Sequence, residues 1–490
     1  MKAIASAHSD VLIVGAGSAG SVLAERLSSD PQCSVTVVET GPGPAEPGVQ
    51  ALTDSGTLLP IGSDSELVTR YASVLTQDPP RTAHLVRGRT VGGSGAVNGG
   101  YFCRAVPADI AAWDLPGWDW PTVLAHYRAV ETDLDFDGPL HGDSGPIHVQ
   151  RTSEYVGATA LFLEACERAG VAWLPDLNGV ESGALPSGVG RVPLNIVEGR
   201  RMGPGAAFLV PAMRRPNLSV LTRARVLRIR FHRGRAVGVD VTRPHGPEGP
   251  DGVTTLTADR IVLSSGAIGT AHLLMLSGIG PEPALRRAGV PVVQPLPVGM
   301  HCVDHPEWVL PTNWSVEPGR PVLEVVLSIA DDLEIRPYTG GFVAMVGGVG
   351  ADHPDWPHLG VALMKPQSYA SVALVSADPT TPPEIEHRYD RVADDIKRLE
   401  YGTEVVREII GTAAEVGEHS WSTSQHLGGS APMGRADDPR AVLDEQCRVR
   451  GVEGLWVIDG SVLPSALSRG PHATTVMLAH RAAGFVSPGA

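Results

Sequence analysis

With 490 residues, 42% of them hydrophobic and 19% charged, the chain is long enough for two or more packed domains and too apolar to be disordered. Its net charge of −15, with no clustered basic stripe, argues against nucleic acid as a partner. Five scattered cysteines (Cys33, Cys103, Cys166, Cys302, Cys447) without CxxC spacing predict reduced thiols in a cytoplasmic protein, and no run nears the roughly 18 apolar residues of a membrane span.

The most informative stretch is residues 10–40, DVLIVGAGSAGSVLAERLSSDPQCSVTVVET. A short apolar run, Val11 to Val14, meets Gly15-x-Gly17-x-x-Gly20. An amphipathic segment with Val22, Leu23 and Leu27 on one side follows, and a second apolar run ends in Glu39. That is a strand–turn–helix–strand unit with an acidic residue at its far end, the pattern that cradles a dinucleotide. Gly15 permits the tight turn, Gly17 the approach of backbone to a pyrophosphate, and Gly20 the close packing of helix on strand. The phosphates then sit at the positive end of the helix. Glu39 is placed to accept hydrogen bonds from an unphosphorylated adenosine ribose. The motif alone does not separate NAD from FAD.

After Glu39, GPGPAEPG breaks regular structure, and residues 51–87 read as irregular. The thirteen residues from Gly88 to Gly100 are mostly small, which bares the backbone for a ligand. Helices are expected at about 121–132 and over 156–170, the latter with Leu161, Leu163 and Ala165 on a face and Gly170 as its stop. HGDSGPIHV, between them, is a loop leading into a strand. From Leu218 three apolar runs, 218–231, 235–241 and 254–263, read as a β-meander whose last strand enters a glycine turn and a helix bearing Leu273, Leu274 and Leu276. The turn-rich RPHGPEGPDG separates the second and third runs. Over 306–388, VLEVVLSIA, GFVAMVGGVG and ASVALVSA alternate with Pro/Gly turns, predicting an antiparallel sheet of a second domain. A helix at 390–411 is expected, capped by Asp390, with Val392, Ile396, Leu399, Val406 and Ile410 on one face and Gly411 ending it. One more strand, Leu455 to Ile458, closes the chain; there is no internal repeat.

Segments across almost the whole chain resemble those of glucose–methanol–choline (GMC) oxidoreductases, in the same order. They are GRTVGGSGAVNGGYF (88–102), HGDSGPIHV (141–149), RPNLSVLTRARV (215–226), GAIGTAHLLMLSGIG (266–280) and VIDGSVLPSALSRGPHATTVMLA (457–479). The resemblance implies an α/β fold, a Rossmann-like FAD-binding domain with a second α+β substrate domain on an antiparallel sheet. It divides the chain into an FAD-binding part over 1–305, with inserted substrate-domain segments near 141–214, a substrate-binding domain over 306–420, and a segment over 421–490 that returns to the first domain.

It also implies FAD as cofactor. The pyrophosphate would rest on Gly15, Gly17, Ser18, Ala19 and Gly20, the ribose on Glu39 and the adenine against Val226. Arg89, Val91, Gly92, Gly93, Ser94, Val97, Asn98 and Gly99 would run past the flavin and ribityl chain. Ser265, Gly266, Asp459, Gly460, His472, Ala473 and Thr474 would complete the site. Some members bond FAD covalently through a histidine in the first of these segments. Val97 stands at the matching position, so non-covalent FAD is expected.

Oxidising an alcohol removes a proton from oxygen and a hydride from carbon, which asks for a base neutral near pH 7 and for donors to the developing alkoxide. Among seventeen histidines, His426 in TSQHLGGSAPMG and His472 in SRGPHATTV match the family's two active-site positions. His426 is expected to be the base and His472 the partner that binds the substrate oxygen. The segment PVGMHCVDHP (297–306) departs from the family pattern at His301 and Cys302, and GRRMGPGAAFL (199–209) departs at Met202 and Gly203. His301, Asp304 and His305 have metal-ligand chemistry, but no further ligand accompanies them at a suitable spacing. A structural hydrogen-bonding loop is the expectation there, with no metal.

The compact length and the wording of 88–104 are similar to the GMC-type enzyme associated with mycofactocin, a peptide-derived redox cofactor. That likeness implies reduced mycofactocin as the alcohol donor and electrons passing towards a respiratory chain, with peripheral membrane contact left open. An oxidase producing hydrogen peroxide and an FAD-containing hydroxynitrile lyase stay as alternatives. A nicotinamide enzyme is disfavoured, since it would leave the C-terminal segments without a role.

Overall fold

Val11, Leu12, Ile13 and Val14 are all nearly inaccessible, as a strand covered on both faces requires. In the computed structural model, which describes residues 8–243, 252–317, 319–330, 332–341 and 356–487, they belong to the strand His8–Val14 inside a seven-stranded sheet. The order is Leu218–Leu221, Val35–Val38, His8–Val14, Val253–Leu263, Arg235–Thr242, Arg225–His232. The first four run parallel. Val253–Leu263 serves two neighbours along one edge: residues 253–257 pair antiparallel with Arg235–Thr242, and residues 261–263 pair parallel with Leu455–Val457. The expected meander therefore holds from Arg225 onward, but Leu218–Leu221 crosses to the opposite edge of the sheet. Asn217 explains the crossing, because its side-chain amide donates to the carbonyls of Ser28, Asp30 and Cys33 and so ties the run beside Val35–Val38.

A second seven-stranded sheet has the order Ser420–Thr423, Pro306–Pro311, His358–Leu363, Leu333–Pro337, Val325–Ile329, Gly188–Arg191, Trp173–Leu174. All its pairings are antiparallel except the last. Alternation along these strands separates two chemistries. Trp308, Leu310, Val325, Leu327, Leu333 and Ile335 form a core with Phe162, Leu399 and Val406, which come from the covering helices Gly157–Arg168 and Ala393–Ile410. Glu307, Ser328, Glu334 and Arg336 point to the other face, where they are buried and bonded to one another or to neighbouring chain.

Three expectations need correction. Residues 51–87 are not irregular: Val68–Gln77 and Pro80–Gly88 form a hairpin, after a short helix at Val49–Asp54. Most of its side chains are half or fully exposed, so no period-two pattern marks it. Ser371–Ala373, from ASVALVSA, pairs with Glu384–Glu386 in the sheet of that hairpin, not with the second seven-stranded sheet. Asp390 caps no helix; its carboxylate accepts from the backbone N–H groups of Gln77 (2.9 Å) and Asp78 (3.0 Å), and the helix begins after Val392. Residues 342–350 of GFVAMVGGVG and 244–251 of RPHGPEGPDG lie outside the described residues. The five cysteines are unpaired and buried, and among the described residues no helix is long and apolar enough to cross a membrane.

Candidate active site

The glycine turn at the end of His8–Val14 is built by contact. Gly15 has φ +101°, and a Cβ on Gly20 would lie 2.0 Å from the Gly15 carbonyl oxygen, so only glycine lets the helix Ser18–Ser28 seat on the turn. That helix starts at Gly17 with no side-chain cap and no acidic residue in its first turn, leaving its first N–H groups for an anion. A Cβ on Gly17 would make only ordinary contacts, at 3.7 Å with the Ser264 carbonyl oxygen and 3.9 Å with Gly93 Cα, so no neighbouring atom of the chain crowds it. Glu39 closes the far end, accepting from Ala16 N (3.0 Å) and Gly41 N (2.8 Å). Burial raises its pKa against the pull of those bonds.

The second glycine-rich segment crosses the first backbone to backbone. Gly92 donates to the Ala16 carbonyl (2.8 Å), and a Cβ on Gly93 would lie 2.7 Å from the Gly17 Cα. Behind the crossing, Gly203 and Gly205 pack on Gly95 and Gly92, which accounts for the departure at Gly203: a side chain there would meet the Gly95 carbonyl at 2.4 Å. Val97 is buried among Val49, Leu67, Val68 and Ala96 and offers no atom that could bond a flavin.

Not every side chain assigned to the cofactor faces this crossing. Arg89 donates to the Glu66 carbonyl (3.1 and 3.2 Å). Ser94 Oγ accepts from Gly88 N and Asn98 Oδ1 from Gly100 N, so both shape the loop itself. The Asp459 carboxylate is spent on Gly266 N, Thr270 and Ser461, tying the start of the helix Gly266–Leu276 to the strand Leu455–Val457. Only its backbone is left for a phosphate. Ser265 Oγ donates to the Val14 carbonyl, and Thr474 bonds the Tyr127 hydroxyl. Ala19, Val91 and Ala473 are buried packing residues, and Val226 is half-buried on Arg225–His232.

His472 follows the turn at Gly470, and His426 packs against that turn. A Cβ on Gly95 would lie 2.6 Å from Ser18 Oγ and 2.8 Å from His472 Cε1, so His472 stands where both glycine segments meet the C-terminal helix His472–Val486. Its ring meets Phe102 edge-on at 5.6 Å, and its Nε2 is buried without a hydrogen-bond partner among the described residues. A Cβ on Gly470, two residues earlier, would lie 3.3 Å from His426 Cε1, His426 Nε2 and Tyr101 Cδ1. His426 Nδ1 is 2.8 Å from His305 Nδ1.

Sequence reasoning did not find what stands behind His426. Asp304 Oδ1 accepts from the backbone N–H of His305 (2.8 Å) and of His426 (2.9 Å). Its Oδ2 accepts from the Tyr389 and Thr423 hydroxyls and lies 2.8 Å from His387 Nε2. Burial opposes its charge, yet these bonds hold the carboxyl well below the usual carboxylate range. Beyond it, Arg336 binds Glu307 (3.0 Å), Glu334 (2.7 Å) and Ser424 (2.7 Å), and Arg469 binds Glu334 (2.8 Å). Tyr101 and Tyr338 donate to Glu334 and Glu307. Two carboxylates and two guanidiniums balance. We expect Arg336→Met, which strands Glu307 and faces Glu334 with one arginine only, to cost about 3–5 kcal/mol, read as a lower thermal midpoint; an unchanged midpoint would contradict the network.

The metal reading of the 301–305 loop fails. Both Asp304 oxygens are taken, His305 faces His426, and His301 packs edge-on against Tyr369. Among the described residues, Glu131, Asp133 and His141 bring ligand atoms within 4.8 Å of one another, but Arg104 holds Glu131 and Arg151 holds Asp133. Burial works against protonation of His141, but its bonds to Asp133 and Asp176 push its pKa up to about 9, so its ring is a cation rather than a ligand.

Burial depresses both active-site histidines: His426 well below its ordinary value, aided by His305 and Arg336, and His472 to about 4, aided by Arg201. Each is thus neutral at pH 7. A base works only while neutral, and a lowered pKa moves its loss to lower pH. kcat/KM is therefore expected to stay level as pH is lowered through about 6.5 and to fall only below it. An acid limb at or above that value would contradict the burial.

Comparison with known proteins follows this geometry. The GMC oxidoreductase family models match residues 9–307 for the N-terminal part and 366–479 for the C-terminal part. An uncharacterized GMC-type oxidoreductase of Rhodococcus erythropolis is 39% identical, over 98% of this chain and 98% of its own length. The mitochondrial choline dehydrogenase of Mus musculus is 30% identical, over 99% and 91%. Among solved structures, pyridoxine 4-oxidase from Mesorbium loti superposes with a TM-score of 0.85 at 26% identity, covering 97% of this chain and 98% of that one.

Proposed function

The chain belongs to the GMC oxidoreductase family and is an FAD-dependent oxidoreductase of CH–OH groups, and from that premise we propose that it is a dehydrogenase re-oxidising reduced mycofactocin. The finer assignment is carried by the wording of 88–104, GRTVGGSGAVNGGYFCR, and by the compact chain. Electrons would then pass to a respiratory chain from a protein held inside the cell.

The residues fit FAD: an uncapped helix N-terminus, an uncrowded backbone at Gly17, Glu39 at the ribose position, and a buried unpartnered nitrogen on His472. Gly15, Gly17 and Gly20 would hold its pyrophosphate, and Gly92, Gly93 and the Asp459–Gly460 backbone would line the rest. When bound, FAD supplies the acceptor for the hydride leaving the substrate carbon. His426 Nε2 takes the hydroxyl proton. His472 Nε2 donates to the substrate oxygen and stabilises the charge that grows there.

The test is anaerobic: add candidate alcohols, reduced mycofactocin included, and follow the visible flavin band. Bleaching by reduced mycofactocin that persists until an artificial acceptor is added supports the dehydrogenase. Rapid recovery in air instead favours an oxidase, the reading suggested by the structural likeness to pyridoxine 4-oxidase. Yellow protein that no alcohol bleaches overturns hydride transfer and returns weight to a lyase.

A further inference from the structure

Two neutral imidazoles facing each other through Nδ1 at 2.8 Å share one proton, and only one of the two ways to place it leaves His426 a base. If His305 donates, His426 carries its proton on Nε2 and cannot accept one there. If His426 donates, its Nε2 lone pair is free. The role of His426 as base selects the second arrangement, in which His305 accepts at Nδ1. His305 Nε2, buried with no hydrogen-bond partner among the described residues, then carries that ring's proton. A neutral ring protonated on Nε2 accepts at Nδ1. We propose that His305 is a positioning residue: it fixes His426 in the tautomer protonated on Nδ1 and so keeps Nε2 ready for the substrate proton.

The backbone supports the same role. One oxygen of Asp304 binds the N–H of both His305 and His426, setting the two rings at 5.0 Å and nearly perpendicular, the geometry in which one nitrogen faces the other. His387, itself 2.7 Å from the Ser73 hydroxyl, together with Tyr389 and Thr423 anchors the other oxygen. The remaining charged groups acting on His426 are Arg336 and Arg87, neither of which accepts a proton. After His426 has taken the substrate proton, its Nδ1–H still points at His305, now in a charge-assisted bond.

The inference rests on His426 being the base, so its primary test is spectroscopic and needs no turnover. In holoenzyme labelled with 15N-histidine, with His426 assigned by its disappearance in His426→Asn, the His426 ring should show Nδ1 protonated and Nε2 bare. An Nε2-protonated ring in the parent protein overturns the proposal, whatever the activity. Two variants add a functional reading. His305→Leu removes the acceptor and should lower the anaerobic rate of flavin reduction about tenfold to hundredfold, within the roughly 10²–10⁴ that a general base supplies, with KM and flavin content little changed. His305→Asn keeps an acceptor near the Nδ1 position and should recover most of that loss. Equal loss in both variants, or a loss under twofold in His305→Leu, would reduce His305 to packing. If His426→Ala itself left flavin reduction intact, the parent reading of the base would fall, separately from the tautomer.

Discussion

Replacing His426 with alanine is expected to lower the rate of flavin reduction by about 10²–10⁴ while the protein stays yellow and folded. What the substitution spares points to catalysis and not to structure. The contact that places this residue is made by its backbone N–H to Asp304, which alanine keeps, so the loop should hold its course. What is lost is the imidazole at the Gly470 turn, the one ring nitrogen there that is neutral and has its other side occupied by His305. A base acts as the proton moves, so kcat and kcat/KM should fall together with little change in binding. Because solvent hydroxide can replace a missing base, the residual rate should climb with pH where the parent rate is flat. Rapid-mixing measurement of flavin bleaching across pH checks both points, and a loss under tenfold would remove His426 from the role.

Much of this site was legible in the sequence because its logic is local. Gly15, Gly17 and Gly20 do their separate work within six residues, and the structure gives each a contact that a side chain would break or fill. Glu39 follows from the strand that carries it. Non-local logic was hidden. Asp304 draws its donors from positions 387, 389, 423 and 426, and nothing in PVGMHCVDHP announces which of these will fold onto it. The charged layer behind the histidines depends on the register that sets Glu307 opposite Ala362 and Ala362 opposite Glu334. The hairpin Val68–Gly88 was missed for a different reason: it is largely solvated and so lacks the alternation that burial imposes. Family likeness assigns Arg89, Ser94 and Asp459 to the cofactor, but their side chains bond to the neighbouring chain and shape its loops.

Gly93→Ala should purify with FAD affinity at least about tenfold weaker, the equivalent of 1.4 kcal/mol or more. Two costs combine at this position. Gly93 has φ +54°, where an L side chain loses about 1–2 kcal/mol. In addition, its Cβ would lie 2.7 Å from the Gly17 Cα, a backbone atom that cannot swing aside. The Gly92 to Ala16 hydrogen bond pins the crossing from the neighbouring residue, so relief requires the two glycine segments that would hold FAD to part. Gly48→Ala isolates the first cost: its φ is +78°, yet a Cβ there meets nothing within 4 Å. Gly48→Ala should therefore lose some thermal stability and remain fully yellow, whereas Gly93→Ala should lose colour. The ratio of flavin to protein absorbance, followed by titration of the apoprotein with FAD, separates the two. Equal flavin content in both variants would mean that the crossing of Gly17 and Gly93 does not form the cofactor's cradle.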